Sequence, residues 1–263
     1  MNVEMDLSQG RLALVTGVSR RAGIGAAITR ELARDGANIF ITYYRPYDSE
    51  TGLSSDPDEP RLLLDELCHM GRRADGLELD LSDPQAPKHL FDHVEANCGT
   101  VTILVNNAAY SMSDGIDKLN AEQLDRHYAI NIRAMALLCA EFVRRYRRDI
   151  SSRIPGRIVN LSSGQGLNPM PGELAYASTK GAVEAFSRSL SAEVGRFGIT
   201  VNAVDPGITD TGWISPALRA KWETESPAGR IGLPEDAARL IRFLASSEAG
   251  WITGQVLHSR GGL

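Results

Sequence analysis

Short, continuously apolar runs alternate along the chain with longer stretches in which apolar residues recur every three or four positions. "RLALVT" (11–16), "ANIFITYY" (37–44), "TILVNN" (102–107), "GRIVNLSS" (156–163) and "ITVNAVDP" (199–206) have strand length and are rich in Val, Ile and Leu. Strands that are apolar on both sides belong to a parallel sheet covered on both faces. "RADGLELD" (73–80) and "GQVLHS" (254–259) are shorter candidates. The stretches 24–35, 61–70, 84–97, 120–148, 173–195 and 234–246 carry the helical period. The alternation predicts βαβ units and a doubly wound α/β (Rossmann) sheet of about seven mainly parallel strands, with helices on both faces. Ligands of such sheets bind at the carboxyl ends of the strands.

Two segments interrupt the rhythm. "RPYDSETGLSSDPDEP" (45–60) is polar, carries three prolines and reads as a long loop. The segment 209–230 is irregular yet holds Trp213, Ile214, Leu218 and Trp222. A long loop with apolar anchors suits a substrate lid, and equally a core or subunit contact. No repeat or linker divides the chain, so residues 1–263 are expected to form one domain, with 1–9 as an N-terminal arm and 209–230 as the lid.

Composition narrows the partners. A chain of 263 residues with net charge −5 and pI near 5.6 is a poor match for nucleic acid or an anionic membrane. The basic cluster at 144–157 reads as a solvated helix end. No leader-like or spanning run is present, and the three scattered cysteines suit a reducing, cytoplasmic setting. His89 and His93 stand four apart, but "HLFDH" lacks a metalloprotease glutamate, so no metal is expected.

"TGVSRRAGIG" (16–25) follows a strand and opens a helix. Gly17 permits the tight turn, and Gly23 and Gly25 let backbone approach a pyrophosphate at the helix start. At the end of the second strand an NAD enzyme usually carries an acid, whereas here Tyr43, Tyr44 and Arg45 stand there. Arg20 and Arg21 lie in the loop opposite. Guanidinium groups without a neighbouring carboxylate suit a 2′-phosphate, so NADP(H) is expected ahead of NAD(H). Plain surface charge is the alternative for these arginines.

Tyr176 and Lys180 are four apart on a helical stretch and project from one face. A tyrosine of pKa near 10 is a poor acid–base catalyst, and a nearby ammonium is expected to draw it toward neutrality. Ser163, thirteen residues earlier, ends a strand. With the Gly loop, "DLS" (80–82), "NNAA" (106–109), Asn131, "NAVDPGITDT" (202–211) and "ITGQVLHSRGG", the chain from about residue 10 onward resembles the short-chain dehydrogenases/reductases, most closely the 3-oxoacyl-carrier-protein reductase-like members.

That resemblance implies hydride transfer between NADP(H) and a carbonyl or secondary alcohol, in a homo-oligomer, either a dimer or a tetramer. Tyr176 would be the general acid/base, with Lys180 on the nicotinamide ribose, Ser163 on the substrate oxygen and Asn131 on a relay water. Gly17, Ser19, Arg20, Arg21, Gly23, Ile24, Gly25, Tyr44 and Arg45 would hold the phosphates and adenosine ribose. Asp80 and Leu81 would bracket the adenine, and Asn107 and Ala108 the middle of the cofactor. Pro206, Gly207, Ile208 and Thr209 would hold the carboxamide. The Gly loop is two residues longer than the family's "TGxxxGxG", "NNAA" replaces "NNAG", and "SRGG" replaces "DGG". A non-catalytic dinucleotide-binding redox sensor is the alternative, as is a cofactor-retaining epimerase or dehydratase. Sensors usually lose the Tyr or Lys, and the epimerase branch carries a longer C-terminal part.

Overall fold

The computed structural model describes residues 10–53, 56–148 and 154–262. The N-terminal arm expected at 1–9 and the middle of the basic cluster lie outside the described residues. Leu12–Val15 (β1), Asn38–Tyr43 (β2), Ala74–Glu78 (β3), Ile103–Asn106 (β4), Gly156–Leu161 (β5), Ile199–Asp205 (β6) and Val256–His258 (β7) form a seven-stranded sheet. Its order is β3-β2-β1-β4-β5-β6-β7 and every pairing is parallel. β1, β4, β5 and β6 are buried along their whole length, as their unbroken apolar runs require.

Side chains alternate across the sheet and divide the core in two. Val15, Ile41 and Val105 face α1 (Ile24–Arg34), α3 (Glu59–His69) and α9 (Pro234–Ala245), where Ile28, Leu32, Leu63 and Ile241 meet them. Leu14, Phe40, Leu104 and Ile158 face the other way, onto α4 (Ala86–Asn97), α6 (Met135–Tyr146) and α7 (Leu174–Val194). The strand order reverses between β1 and β4, so a crevice opens at their carboxyl ends. Among the described residues no helix is long and apolar enough to cross a membrane.

Three expectations change. The segment 45–60 is not all loop. Arg45–Glu50 forms a short helix (α2), with Pro46 in its first turn where a missing N–H costs nothing, and α3 already starts at Glu59. The stretch 120–148 is not one regular helix. Ala121–Tyr128 (α5) passes into a π turn over Ala129–Ala134 before α6, and Asn131 sits inside that turn. Such single π turns recur at functional sites, because the extra residue re-aims side chains. The segment 209–230 contains a ten-residue helix, Pro216–Glu225 (α8). None of the α8 residues is buried, so its apolar side chains are not core of this chain.

Candidate active site

Gly17 adopts φ +72° directly after β1, and a Cβ there would stand 2.6 Å from the Ala108 backbone. Only glycine lets the two strand ends approach this closely. Asn107 ties them, its Nδ2 donating to the carbonyls of Thr16 and Gly17 at 2.9 Å each. The two extra loop residues are absorbed in a turn closed by Gly23 N donating to Arg20 O at 3.0 Å. Helix α1 therefore still starts at Ile24, and its cap position Gly23 offers no side-chain acceptor to the first N–H groups. These donors and the positive helix end make an anion site.

A cavity of about 660 Å³ opens over this turn. Its walls include Gly17, Ser19, Arg20, Gly23, Ile24 and Gly25 from the loop, Tyr44 after β2, Asp80 and Leu81 after β3, and Asn107 and Ala108 after β4. The glycine cradle, the open helix start and this volume fit the adenosine and pyrophosphate portions of a dinucleotide. Helix α2 roofs the cavity. The Tyr47 hydroxyl donates to Ser111 O at 3.1 Å and accepts from Ser111 N at 3.0 Å, and Glu50 pairs with Arg126 at 2.9 Å.

The arginines separate. Arg20 lines the cavity, its Nη1 donating to Thr211 O at 2.8 Å and its Nε 3.4 Å from the Asp48 carboxylate. Arg21 turns away, pairing with Glu66 at 3.5 Å while its backbone N–H donates to Glu59. Arg45 also lies outside the cavity wall, forked onto both oxygens of Glu78, which holds that carboxyl below its ordinary range. The absence of a carboxylate, read from the strand end, does not survive folding. Asp48, on α2, stands buried in the cavity wall beside Ser19 and Arg20.

Ser163, Tyr176 and Lys180 converge beyond β5, outside the residues that line this cavity. Lys180 is buried and donates through Nζ to Leu161 O at 2.7 Å, with its nitrogen 5.5 Å from the centre of the Tyr176 ring. Burial pushes the Lys180 ammonium down to about 8. Burial also pushes the Tyr176 phenol up to about 12, against the smaller opposing effect of a Ser163 hydrogen bond. The expected lowering of Tyr176 by its lysine is therefore not what the structure shows. Desolvation disfavours both charged forms and is the leading cause of both shifts.

Asn131 donates both amide hydrogens, to Tyr110 O at 2.9 Å and Thr179 Oγ1 at 3.0 Å, while its Oδ1 accepts from Tyr110 N at 2.8 Å. Any water on this side chain would be held through its oxygen. Pro206, Gly207 and Ile208 turn the chain at the end of β6, and Thr209 Oγ1 donates to Pro206 O at 3.0 Å. Thr209 bridges to Gly232, so the two ends of the 209–230 segment are anchored together. Within it Trp213 and Trp222 meet edge-on, 5.8 Å apart.

A family model described as enoyl-(acyl carrier protein) reductase matches residues 17–263. The chain belongs to the short-chain dehydrogenase/reductase family. This short-chain dehydrogenase/reductase is 48% identical over 258 residues to an uncharacterized oxidoreductase of Bacillus subtilis, covering 98% of each chain. It is 34% identical to the 3-oxoacyl-(acyl-carrier-protein) reductase FabG of Escherichia coli, over 97% of this chain and 98% of that one. A short chain dehydrogenase from Burkholderia cenocepacia, solved in complex with NADP, superposes with a TM-score of 0.83 at 32% identity, over 97% and 98% of the two chains.

Two site residues were missed by the sequence reading. Asp114, buried in the loop after β4, accepts from the backbone N–H groups of Leu174 (2.6 Å) and Ala175 (2.8 Å), and so caps the helix that carries Tyr176 and Lys180. Asp48 is the other. Neither has a local signal, because each acts on an element far away in the chain. The departure "SRGG" also finds its structural partner. Arg260 lies against Gly164 and pairs with the buried Asp205 at 3.0 Å, joining the ends of β5, β6 and β7.

Proposed function

We propose that this short-chain dehydrogenase/reductase is an NADP(H)-dependent carbonyl reductase, working on a ketone or its secondary alcohol, with a 3-oxoacyl thioester as the first substrate to test. The observation that carries the reading is the convergence of Ser163, Tyr176 and buried Lys180 beyond the carboxyl end of β5, on the same edge of the sheet as the cavity. Further support comes from the NADP complex of the Burkholderia cenocepacia relative and from the name of the Escherichia coli one.

The nicotinamide, when bound, supplies or takes the hydride. Tyr176 is held as a neutral phenol, since its pKa lies near 12, and can give its proton to a carbonyl oxygen. That favours reduction, because oxidation would first need the phenolate. Ser163, hydrogen-bonded to Tyr176, orients the same oxygen. Lys180 holds the ribose and, when protonated, stabilises the phenolate left after proton transfer. Asn131 and Thr179 brace Tyr110 and α7 behind them. Pro206 to Thr209 would hold the carboxamide, and α8 would close over the substrate. Arg20, from the glycine loop, would meet a 2′-phosphate. A homo-oligomer belongs to the same reading, supported by the open edge of β7 and by Trp251, which is 99% exposed.

The test is a panel of 3-oxoacyl thioesters, simple ketones and an enoyl thioester, followed by NADPH absorbance and repeated with NADH. Tyr176→Phe removes the proton and keeps the ring, so turnover should fall about 10²–10⁴-fold while nucleotide binding persists. Near-normal turnover in Tyr176→Phe would sink the assignment.

A further inference from the structure

Asp48 is a residue that the short-chain dehydrogenase/reductase motifs do not include. It lies five positions beyond the end of β2, in a segment whose composition reads as loop. Because that segment coils into α2, the carboxylate returns to the carboxyl end of β2. There it lines the cavity with Ser19, Arg20 and Tyr44, and only 5% of its surface is exposed. An acid at this end of a dinucleotide crevice accepts the ribose 2′-hydroxyl of NAD.

The partners of the two oxygens differ. Oδ1 lies 3.4 Å from Arg20 Nε, whereas the buried Oδ2 has no hydrogen-bond partner. Leaving a buried acceptor without a donor is costly, and a carboxylate oxygen more so. Burial raises the Asp48 pKa, and Ser19 and Arg20 only partly offset this. A hydroxyl donor entering the cavity would satisfy Oδ2. A dianionic 2′-phosphate would meet Arg20 and, beside it, a like charge.

We propose that Asp48 sets the cofactor preference of this enzyme, accepting the 2′-hydroxyl of NAD(H) on Oδ2 and weakening the grip of Arg20 on the 2′-phosphate of NADP(H). The chain is thereby a dual-cofactor reductase, in which one acid and one arginine serve the two forms of the same ribose. The assignment rests on the dinucleotide reading of the cavity and goes beyond it by naming the residue that discriminates.

The test is direct nucleotide binding, by quenching of tryptophan fluorescence and by calorimetry, with no substrate present. Wild type should bind both NADPH and NADH. Asp48→Asn keeps the shape and removes the charge, so the ratio of NADPH to NADH affinity should rise about tenfold or more, with NADH weakened. Asp48→Ser, smaller and also uncharged, should move the ratio the same way. Arg20→Ala should move it oppositely, by about 10–150-fold, the value of one charge-assisted hydrogen bond. Equal losses for both nucleotides in the two Asp48 variants, or an unchanged ratio, would overturn the role of Asp48 and leave the cavity reading intact. Failure of wild type to bind either nucleotide would overturn both.

Discussion

Replacing Lys180 by methionine should stabilise the nucleotide-free protein while abolishing its activity. Lys180 is 3% exposed, and its pKa falls from an ordinary 10.5 to about 8 because burial disfavours the charge. Below pH 8 the lysine is protonated in both folded and unfolded states, and the fold carries the whole cost of the buried charge. A difference of about 2.5 in pKa, at about 1.4 kcal/mol each, sets that cost at roughly 3 kcal/mol. Between pH 8 and 10.5 the unfolded chain holds the proton and the folded one does not, so wild-type stability rises with pH and the cost disappears.

Methionine has nearly the same length and no charge, but it leaves Leu161 O without the 2.7 Å hydrogen bond. Losing that partner takes back about 1–1.5 kcal/mol. The net gain at pH 7 is about 2 kcal/mol, or about 4–8 °C in Tm for a chain of this size. Urea unfolding of Lys180→Met and wild type at pH 7 and pH 9.5 measures it. The difference should be positive at pH 7 and shrink by more than half at pH 9.5. A destabilised variant at pH 7, or a difference independent of pH, would refute a buried, strained ammonium at this position. The energy is stored where it is used, since an anionic phenolate or a ribose hydroxyl nearby would relieve the ammonium.

Asp114→Ala should destabilise the protein by about 2–3 kcal/mol in urea unfolding, because two N–H groups at the start of α7, that of Ala175 buried, lose a charged acceptor. Its turnover should fall more than its NADPH affinity, since α7 positions Tyr176, and Asp114→Asn should recover part of both. The segment 209–230, proposed as a lid, should slow its hydrogen exchange when nucleotide and a carbonyl substrate are both present, because α8 buries none of its residues in this chain. Strong protection with and without ligands would mark the segment as fixed.

The strands and most helices were legible because each depends on local periodicity. β1, β4, β5 and β6 are apolar on both faces in sequence and buried on both faces in space. The turn around Gly17 was legible for a similar reason, since a strand, a glycine and a helix start follow one another within a few residues. The Tyr176–Lys180 pairing needed only the helical repeat. The same repeat could not report the π turn at Asn131, because one extra residue per turn leaves a pattern that an ordinary amphipathic helix also satisfies.

What tertiary structure alone decided is the set of charges each site feels. The sequence put Arg45 at the end of β2 and Arg20 and Arg21 in the loop opposite, and only folding assigned Arg21 to Glu66, Arg45 to Glu78 and Arg20 to the cavity. Asp48 reached the same place because six residues coil rather than extend, and Asp114 caps a helix sixty residues ahead in the chain. The pKa of Tyr176 was misjudged from its neighbour at i+4, because spacing reports which groups are close but not how much water remains around them. Electrostatic strength depends on that water, and exclusion of water is a property of the packed molecule, shared by segments that no local pattern connects.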